Sequence, residues 1–161
     1  MIKLIARLLA RGEPVLSEAS PRDAAAIAAL HAASFRRGWS EQEIEGLLVD
    51  RHVIAHRAMI GGKLIGFIMS RLVEDEAEIL SIAIAGSRQR RGLARKLLNF
   101  HLRRLAAFSA RTMFLEVDEH NEPAMRLYDR AGFHEISRRP NYYQSAGTSP
   151  AAALVLRRDL D

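Results

Sequence analysis

The sequence predicts a mixed α/β domain: one sheet with helices on its faces. Three observations carry that prediction. Positions 52–85 hold three consecutive β-rich runs, the first two joined across Gly61-Gly62. A leucine-striped segment follows, with Leu93, Leu97, Leu98, Leu102 and Leu105 at helical spacing. Beyond it come a strand, a helix and two more strands, so the order reads β-α-α-β-β-β-α-β-α-β-β.

Each element has a local cause. Positions 1–12 (MIKLIARLLARG) place Lys3, Arg7 and Arg11 four residues apart, with Ile2, Ile5, Leu8 and Leu9 on the other side, which is an amphipathic pattern. The chain therefore divides into an N-terminal extension at 1–14 and a single domain at 15–161. Positions 15–19 form the first strand. Ser20 caps a helix with Pro21 at its first position, running to about Phe35. Ser40 and Glu43 make a capping box for a second helix ending near Val49. The loop between them carries Arg37, Gly38 and Trp39, the single tryptophan. Gly61-Gly62 is a hairpin signal between strands at 52–60 and 63–73, and 76–85 is the third strand. The leucine helix runs from Gly92 to about Phe108. A strand at 112–117, a helix from Pro123 to near Gly132, and strands at 133–143 and 151–158 complete the domain.

Composition removes several mechanisms. The chain has 161 residues, 48% apolar and 27% charged, which suits one globular domain. It has no cysteine. A thiol nucleophile, a thiolate metal cluster and a disulfide framework are excluded, and a reducing cytoplasm is the natural compartment. Lys+Arg 24 against Asp+Glu 19 leaves a net charge of +5, which hints at an anionic ligand. No apolar run approaches the roughly 18 residues of a membrane-spanning helix, so no membrane partner is expected.

The most informative stretch runs from Ile82-Ala83-Ile84 through Gln89, Arg90, Arg91 and Gly92 to Leu93, Ala94 and Arg95. A strand ends, a polar turn follows, and a helix begins at a glycine followed closely by a small residue. Helix N-termini carry unpaired N–H groups and the positive end of the dipole, so they bind phosphate. Seven basic residues and no acid lie between Arg88 and Arg104, a surface that suits a pyrophosphate. A solvated basic face or a nucleic-acid patch is the alternative. Gln89-x-x-Gly92-x-Ala94 is neither a Walker loop nor a dinucleotide fingerprint.

A second constellation follows. Strand alternation buries Leu115 and Val117 together and turns Glu116 to the other face. Asn121 caps the next helix, and Tyr128 lies two helical turns further on. Glu116 and Tyr128 are a candidate base and acid, with an ion pair and core packing as their respective alternatives.

Gln89-x-x-Gly92-x-Ala94, then Asn121-x-x-Ala124-x-x-Leu127-Tyr128 and Gly132-Phe133, resembles the GCN5-related N-acetyltransferase (GNAT) family. The resemblance covers about positions 15–161. Phe35-x-x-Gly38-Trp39-Ser40, Leu115-Glu116-Val117 and Asn141-Tyr142-Tyr143 are similar to that family's bacterial ribosomal-protein-alanine branch. The resemblance implies a mostly antiparallel mixed sheet with splayed central strands and acetyl-CoA as co-substrate, with no metal. It also implies that Ile82, Ala83 and Ile84 lend backbone to the pantetheine and acetyl group. Arg90, Arg91, Gly92, Leu93, Ala94 and Arg95 would cradle the pyrophosphate, and Asn121 would touch the cofactor. Glu116 would be general base and Tyr128 general acid. The acceptor would be a protein or peptide N-terminus, with an alanine-starting ribosomal protein leading, and no nucleic acid would be required. Two alternatives stand beside this: a small-molecule amine acetyltransferase of the same fold, and a basic nucleic-acid-binding module without catalysis. The branch usually carries Pro after the paired tyrosines and then an acid, whereas this chain has Gln144 and then Ser149-Pro150-Ala151-Ala152.

Other signals are weaker. His52 and His56 would share a strand face without a third ligand at metal spacing. His31, His101, His120 and His134 read as surface or core polar residues. Glu74, Asp75, Glu76 and Glu78 form a solvated turn or an acidic lip for a basic substrate tail. Trp39 is a packing anchor or one wall of a peptide groove. Tyr142 and Tyr143 alternate faces, so at most one would line the site.

Overall fold

The computed structural model describes residues 12–143 and 150–161. The N-terminal amphipathic segment and the Gln144 and Ser149 positions lie outside the described residues. Strands β1 (Val15–Glu18), β2 (Val53–Ile60), β3 (Lys63–Val73), β4 (Glu76–Ile84), β5 (Thr112–Asp118), β6 (His134–Tyr143) and β7 (Ala151–Asp159) form one sheet. Their order in space is β1-β2-β3-β4-β5-β7-β6. Helices α1 (Ala24–Ser34), α2 (Glu41–Val49), α3 (Leu93–Ala107) and α4 (Glu122–Arg130) connect them. All neighbouring strands are antiparallel except β4 and β5, which are parallel.

The helix starts follow their caps. Ser40 Oγ accepts from the Glu43 N–H at 3.1 Å while Glu43 returns to the Ser40 N–H at 2.7 Å, so α2 begins with the capping box that its sequence predicts. At Ser20 the outcome differs. Pro21–Asp23 form a 3₁₀ turn, and the α-helix proper begins at Ala24. The Asp23 carboxylate explains the tighter turn, because it accepts from the Ser20 N–H at 2.8 Å and from Arg57 Nη1 at 2.6 Å.

Two cores divide the sheet's faces. The leucine stripe of α3 packs with Ile68, Met113, Leu115 and Val117 on one face, joined by Tyr128 of α4 and by Phe133. On the other face Ile27 and Ile44, from α1 and α2, meet Phe67, Met69 and Ala83. Gly38 allows the entry to α2 to close down, since a Cβ there would stand 2.8 Å from the Ala32 Cα. Within the first core, His101 of α3 meets His56 of β2 through their Nδ1 atoms at 2.6 Å and Ser70 of β3 through Nε2 at 2.7 Å. The strand-face pairing of His52 with His56 does not form: His52 precedes β2 and bonds Arg51 instead.

The sheet parts in its middle. β4 and β5 pair only at Glu76↔Thr112, Ala77↔Met113 and Glu78↔Phe114. Beyond that point β4 stays paired to β3 as far as Ile84, and β5 to β7 as far as Asp118. A register shift against Met69 and Ser70 makes Leu80 an extra residue in β4. Such a bulge bends its strand and raises the local twist, which draws β4 away from β5.

Candidate active site

The gap between β4 and β5 is bounded by two different kinds of surface. On one side the chain leaves β4 at Ile84 and turns into α3. Ile82 and Ile84 send their side chains toward the leucine core and Ala83 toward the opposite one. Of their backbone, Ile82 and Ile84 turn their N–H and C=O groups toward the gap, while Ala83, opposite Phe67, turns its own to β3. The turn is closed by Gln89, whose Nε2 donates to the Ile84 carbonyl at 3.0 Å. Arg90 and Gly92 both take left-handed backbone, at φ 63° and 75°. Gly92 is needed for that angle, not for room, since an added Cβ would meet nothing within 4 Å.

Helix α3 then starts without a side-chain cap. The Lys96 N–H donates to the Gly92 carbonyl at 3.1 Å, so those of Leu93, Ala94 and Arg95 have no partner inside the helix. A helix start normally favours acids, yet this first turn has none and carries Arg95 and Lys96. Among the described residues Arg90, Arg91 and Arg95 have no ion-pair partner. A hollow of about 180 Å³ adjoins the turn, lined among others by Arg88, Arg91 and Lys96. Concentrating cations on a positive helix end is locally unfavourable, and an anion of several charges removes the conflict. A pyrophosphate fits this turn.

On the other side stands β5. Leu115 and Val117 enter the leucine core, so Glu116 faces away from it, toward the side of the sheet that α1 and α2 cover further along. Its side chain is 30% exposed, and Oε1 accepts from Arg139 Nη2 at 2.7 Å. Tyr128 lies on the opposite face, within the leucine core, and packs edge-on to Phe133 at 5.6 Å. Burial pushes its phenol up to about 12, and its hydroxyl has no hydrogen-bond partner among the described residues. Glu116 and Tyr128 thus lie on opposite faces of the sheet. Asn121 caps α4, its Oδ1 accepting from the Ala124 N–H at 3.3 Å.

A wider hollow of about 400 Å³ lies on the α1–α2 side, lined by Trp39, Glu43, Gly46, Leu47, Arg71 and Leu80. Trp39 forms one wall and is also an anchor. Its backbone N–H donates to His31 Nδ1 at 3.1 Å, and the two rings stack at 4.4 Å. The paired tyrosines depart from simple alternation. Asn141 is left-handed at φ 56°, β6 bulges there, and the Tyr142 and Tyr143 rings meet edge-to-face at 5.1 Å. Both rings therefore gather at one corner. Arg71, Leu47, Leu80 and Arg139 were not legible as site residues, because no spacing in the chain links them to Glu116.

A mixed sheet parted between its two parallel strands, with an uncapped cationic helix start beside the gap, defines a class. The chain belongs to the Acetyltransferase (GNAT) family, whose model matches residues 22–133. It is therefore an enzyme, an acyltransferase, and a purely nucleic-acid-binding module is not favoured. It is 34% identical over 119 residues to the [ribosomal protein bS18]-alanine N-acetyltransferase of Escherichia coli strain K12, covering 73% of this chain and 80% of that protein. The crystal structure of the ribosomal-protein-S18-alanine N-acetyltransferase from Escherichia coli superposes with a TM-score of 0.84 at 27% identity, over 91% of this chain and 93% of that one. NAA60 of Arabidopsis thaliana in complex with acetyl-CoA shares the fold, with a TM-score of 0.79 at 19% identity over 91% and 98% of the two chains.

Proposed function

We propose that this enzyme transfers the acetyl group of acetyl-CoA directly to the α-amine of a protein N-terminus, with an alanine-starting ribosomal protein as the leading acceptor. The observation that carries the proposal is the parted sheet, with the Glu116 carboxylate on one face and the Tyr128 phenol on the other. The bacterial relative that covers most of the chain bears the name of that acceptor and supports the choice.

The chemistry follows from elementary acidity. An N-terminal amine has a pKa of about 7.7–8.0, so at neutral pH it is mostly protonated and cannot attack. Glu116, facing the acceptor side, takes that proton directly or through a water. Nitrogen bonds to the carbonyl carbon as the carbon–sulfur bond breaks, and the second proton that it then sheds passes to solvent, from which Tyr128 is later reprotonated. The backbone N–H of Ile84, which by ladder alternation points away from β3, is available to the charge that develops on the carbonyl oxygen. Tyr128, kept protonated by burial, donates to the departing thiolate. The absence of cysteine fits transfer without a thiol-bound acyl-enzyme.

In this reading Arg90 to Arg95 and the N–H groups of Leu93, Ala94 and Arg95 hold the pyrophosphate, and Asn121 lies near the pantetheine. Residues 15–161 are the catalytic domain and residues 1–14 an extension of it. The enzyme works in the cytoplasm, where acetyl-CoA and ribosomal proteins meet; among the described residues no helix is long and apolar enough to cross a membrane. The test is mass spectrometry of a peptide panel incubated with acetyl-CoA. Acetylation at the α-nitrogen of alanine-starting peptides is expected. Acetylation of small amines in place of every peptide would overturn the acceptor assignment.

A further inference from the structure

Glu116 is held by a residue from two strands away. β5 pairs with β7 through Glu116↔Val155 and Asp118↔Ala153, and β7 pairs with β6 through Arg139↔Ala153. Arg139 is thus level with Asp118 and separated from β5 by a whole strand, roughly 9–10 Å of sheet. Its side chain crosses the face of β7 that carries Ala153 and Val155, and its Nη2 reaches Glu116 Oε1 at 2.7 Å.

The crossing is supported from behind. The Arg139 guanidinium stacks over the Tyr142 ring at 4.5 Å, and Tyr143 packs edge-on against Tyr142. That platform exists because β6 is bulged: it advances four residues from Arg139 to Tyr143 while β7 advances two, from Ala153 to Ala151. The left-handed Asn141 makes the bulge. Neighbouring Arg138 serves a separate cluster, paired with Glu135 at 2.7 Å and Glu119 at 3.6 Å.

An ion pair as exposed as this one, at 56% and 30%, contributes little to stability. Its geometry is more informative than its energy. Arg139 engages one carboxylate oxygen only, and Glu116 makes no other hydrogen bond among the described residues. We propose that Arg139 is a positioning residue: by holding Oε1 from the far side of β7, with Tyr142 as its backing, it leaves Glu116 Oε2 aimed at the acceptor amine. The inference rests on Glu116 being the base, and adds the device that orients it.

The test uses the full chain, acetyl-CoA and an alanine-starting peptide acetylated in the panel. R139Q should lower kcat about tenfold or more, the scale of a misplaced catalytic group, with melting temperature and acetyl-CoA affinity unchanged. R139K should recover part of the loss. Because Arg139 acts through Glu116, the double variant E116Q/R139Q should be no slower than E116Q alone. Wild-type kcat in R139Q, or a double variant slower than E116Q, would overturn the proposal. Full turnover in E116Q would instead remove the base assignment itself, a different result from the same series. Should R139Q not fold, Y142L removes the backing ring and keeps every charge. Lower kcat there supports the device, and wild-type kcat overturns it.

Discussion

The two walls of the gap are built on opposite principles. The wall at the start of α3 is made of backbone from one short stretch, Ile82 to Arg95, with several cations around it. Its binding capacity is distributed over many donors. The wall at Glu116 depends on single side chains brought from β5 and β6. Its capacity is concentrated, so one substitution there should matter far more than one at the turn.

The largest effect is therefore expected at Glu116. E116Q keeps the shape and the hydrogen-bond acceptor for Arg139 but cannot take a proton. Turnover should fall by about 10²–10⁴, the usual contribution of a general base, with acetyl-CoA affinity preserved. Steady-state kinetics beside cofactor titration would show it. A fall in cofactor affinity of the same size would mean that the two walls are not independent.

The same contrast explains what could be read from the chain. The α3 turn was legible because its geometry resides in consecutive residues: a strand end, Gln89, Gly92 and a helix start leave their mark at fixed spacing. Glu116 was legible too, because a carboxylate between Leu115 and Val117 stands out within a strand. The element order was recovered nearly whole, and the 3₁₀ turn at Pro21–Asp23 was missed because an aspartate three residues after Ser20 suits either helix type. Arg139 could not be found, since its partner is 23 residues away and is reached over another strand. The β6 bulge was hidden for a related reason: alternation assumes an unbroken register, and only the pairing with β7 reveals the break.

The distributed wall depends on α3 keeping its place, and beside its leucine stripe two buried histidines help to hold it. His101, fully buried, ties α3 to β2 through His56 and to β3 through Ser70. Burial, with the nearby Arg104 charge adding to it, lowers the His56 pKa from 6.5 to about 4, and burial holds His101 well below its ordinary value too. Both imidazoles are neutral in the folded protein at pH 7. As pH falls from 6.5 toward 4 the unfolded chain takes up protons that the folded chain refuses, so stability is lost across that window. The pair together should account for a loss on the order of a few kcal/mol. Urea unfolding at pH 7 and at pH 4.5 would measure the loss. A midpoint independent of pH over that range would mean that the histidines are not held neutral.

Within the α3 turn the backbone angle should matter more than any one cation. Gly92 sits at φ 75° in open space, so a side chain there is opposed by conformation and not by collision. A β-branched residue resists the left-handed region by about 1–2 kcal/mol, whereas asparagine tolerates it. Gly92→Val should weaken acetyl-CoA binding roughly tenfold, and Gly92→Asn by clearly less. Equal affinities in the two variants would show that side-chain bulk, not the angle, governs the turn.

The smallest effect is expected at Lys96. Its pair with Glu13 is 3.5 Å long and largely solvated, so Lys96→Ala should leave Tm within about 2 °C of wild type. Lys96 also shares its hollow with Arg88 and Arg91, and the helix amides beside them remain when it is removed. Acetyl-CoA affinity should therefore drop only about two- to fivefold, and the drop should shrink as salt is raised and the cation is screened. A loss of a hundredfold from this one side chain would contradict the distributed wall. The pyrophosphate would then depend on a single ammonium, much as the proposed base is a single carboxylate.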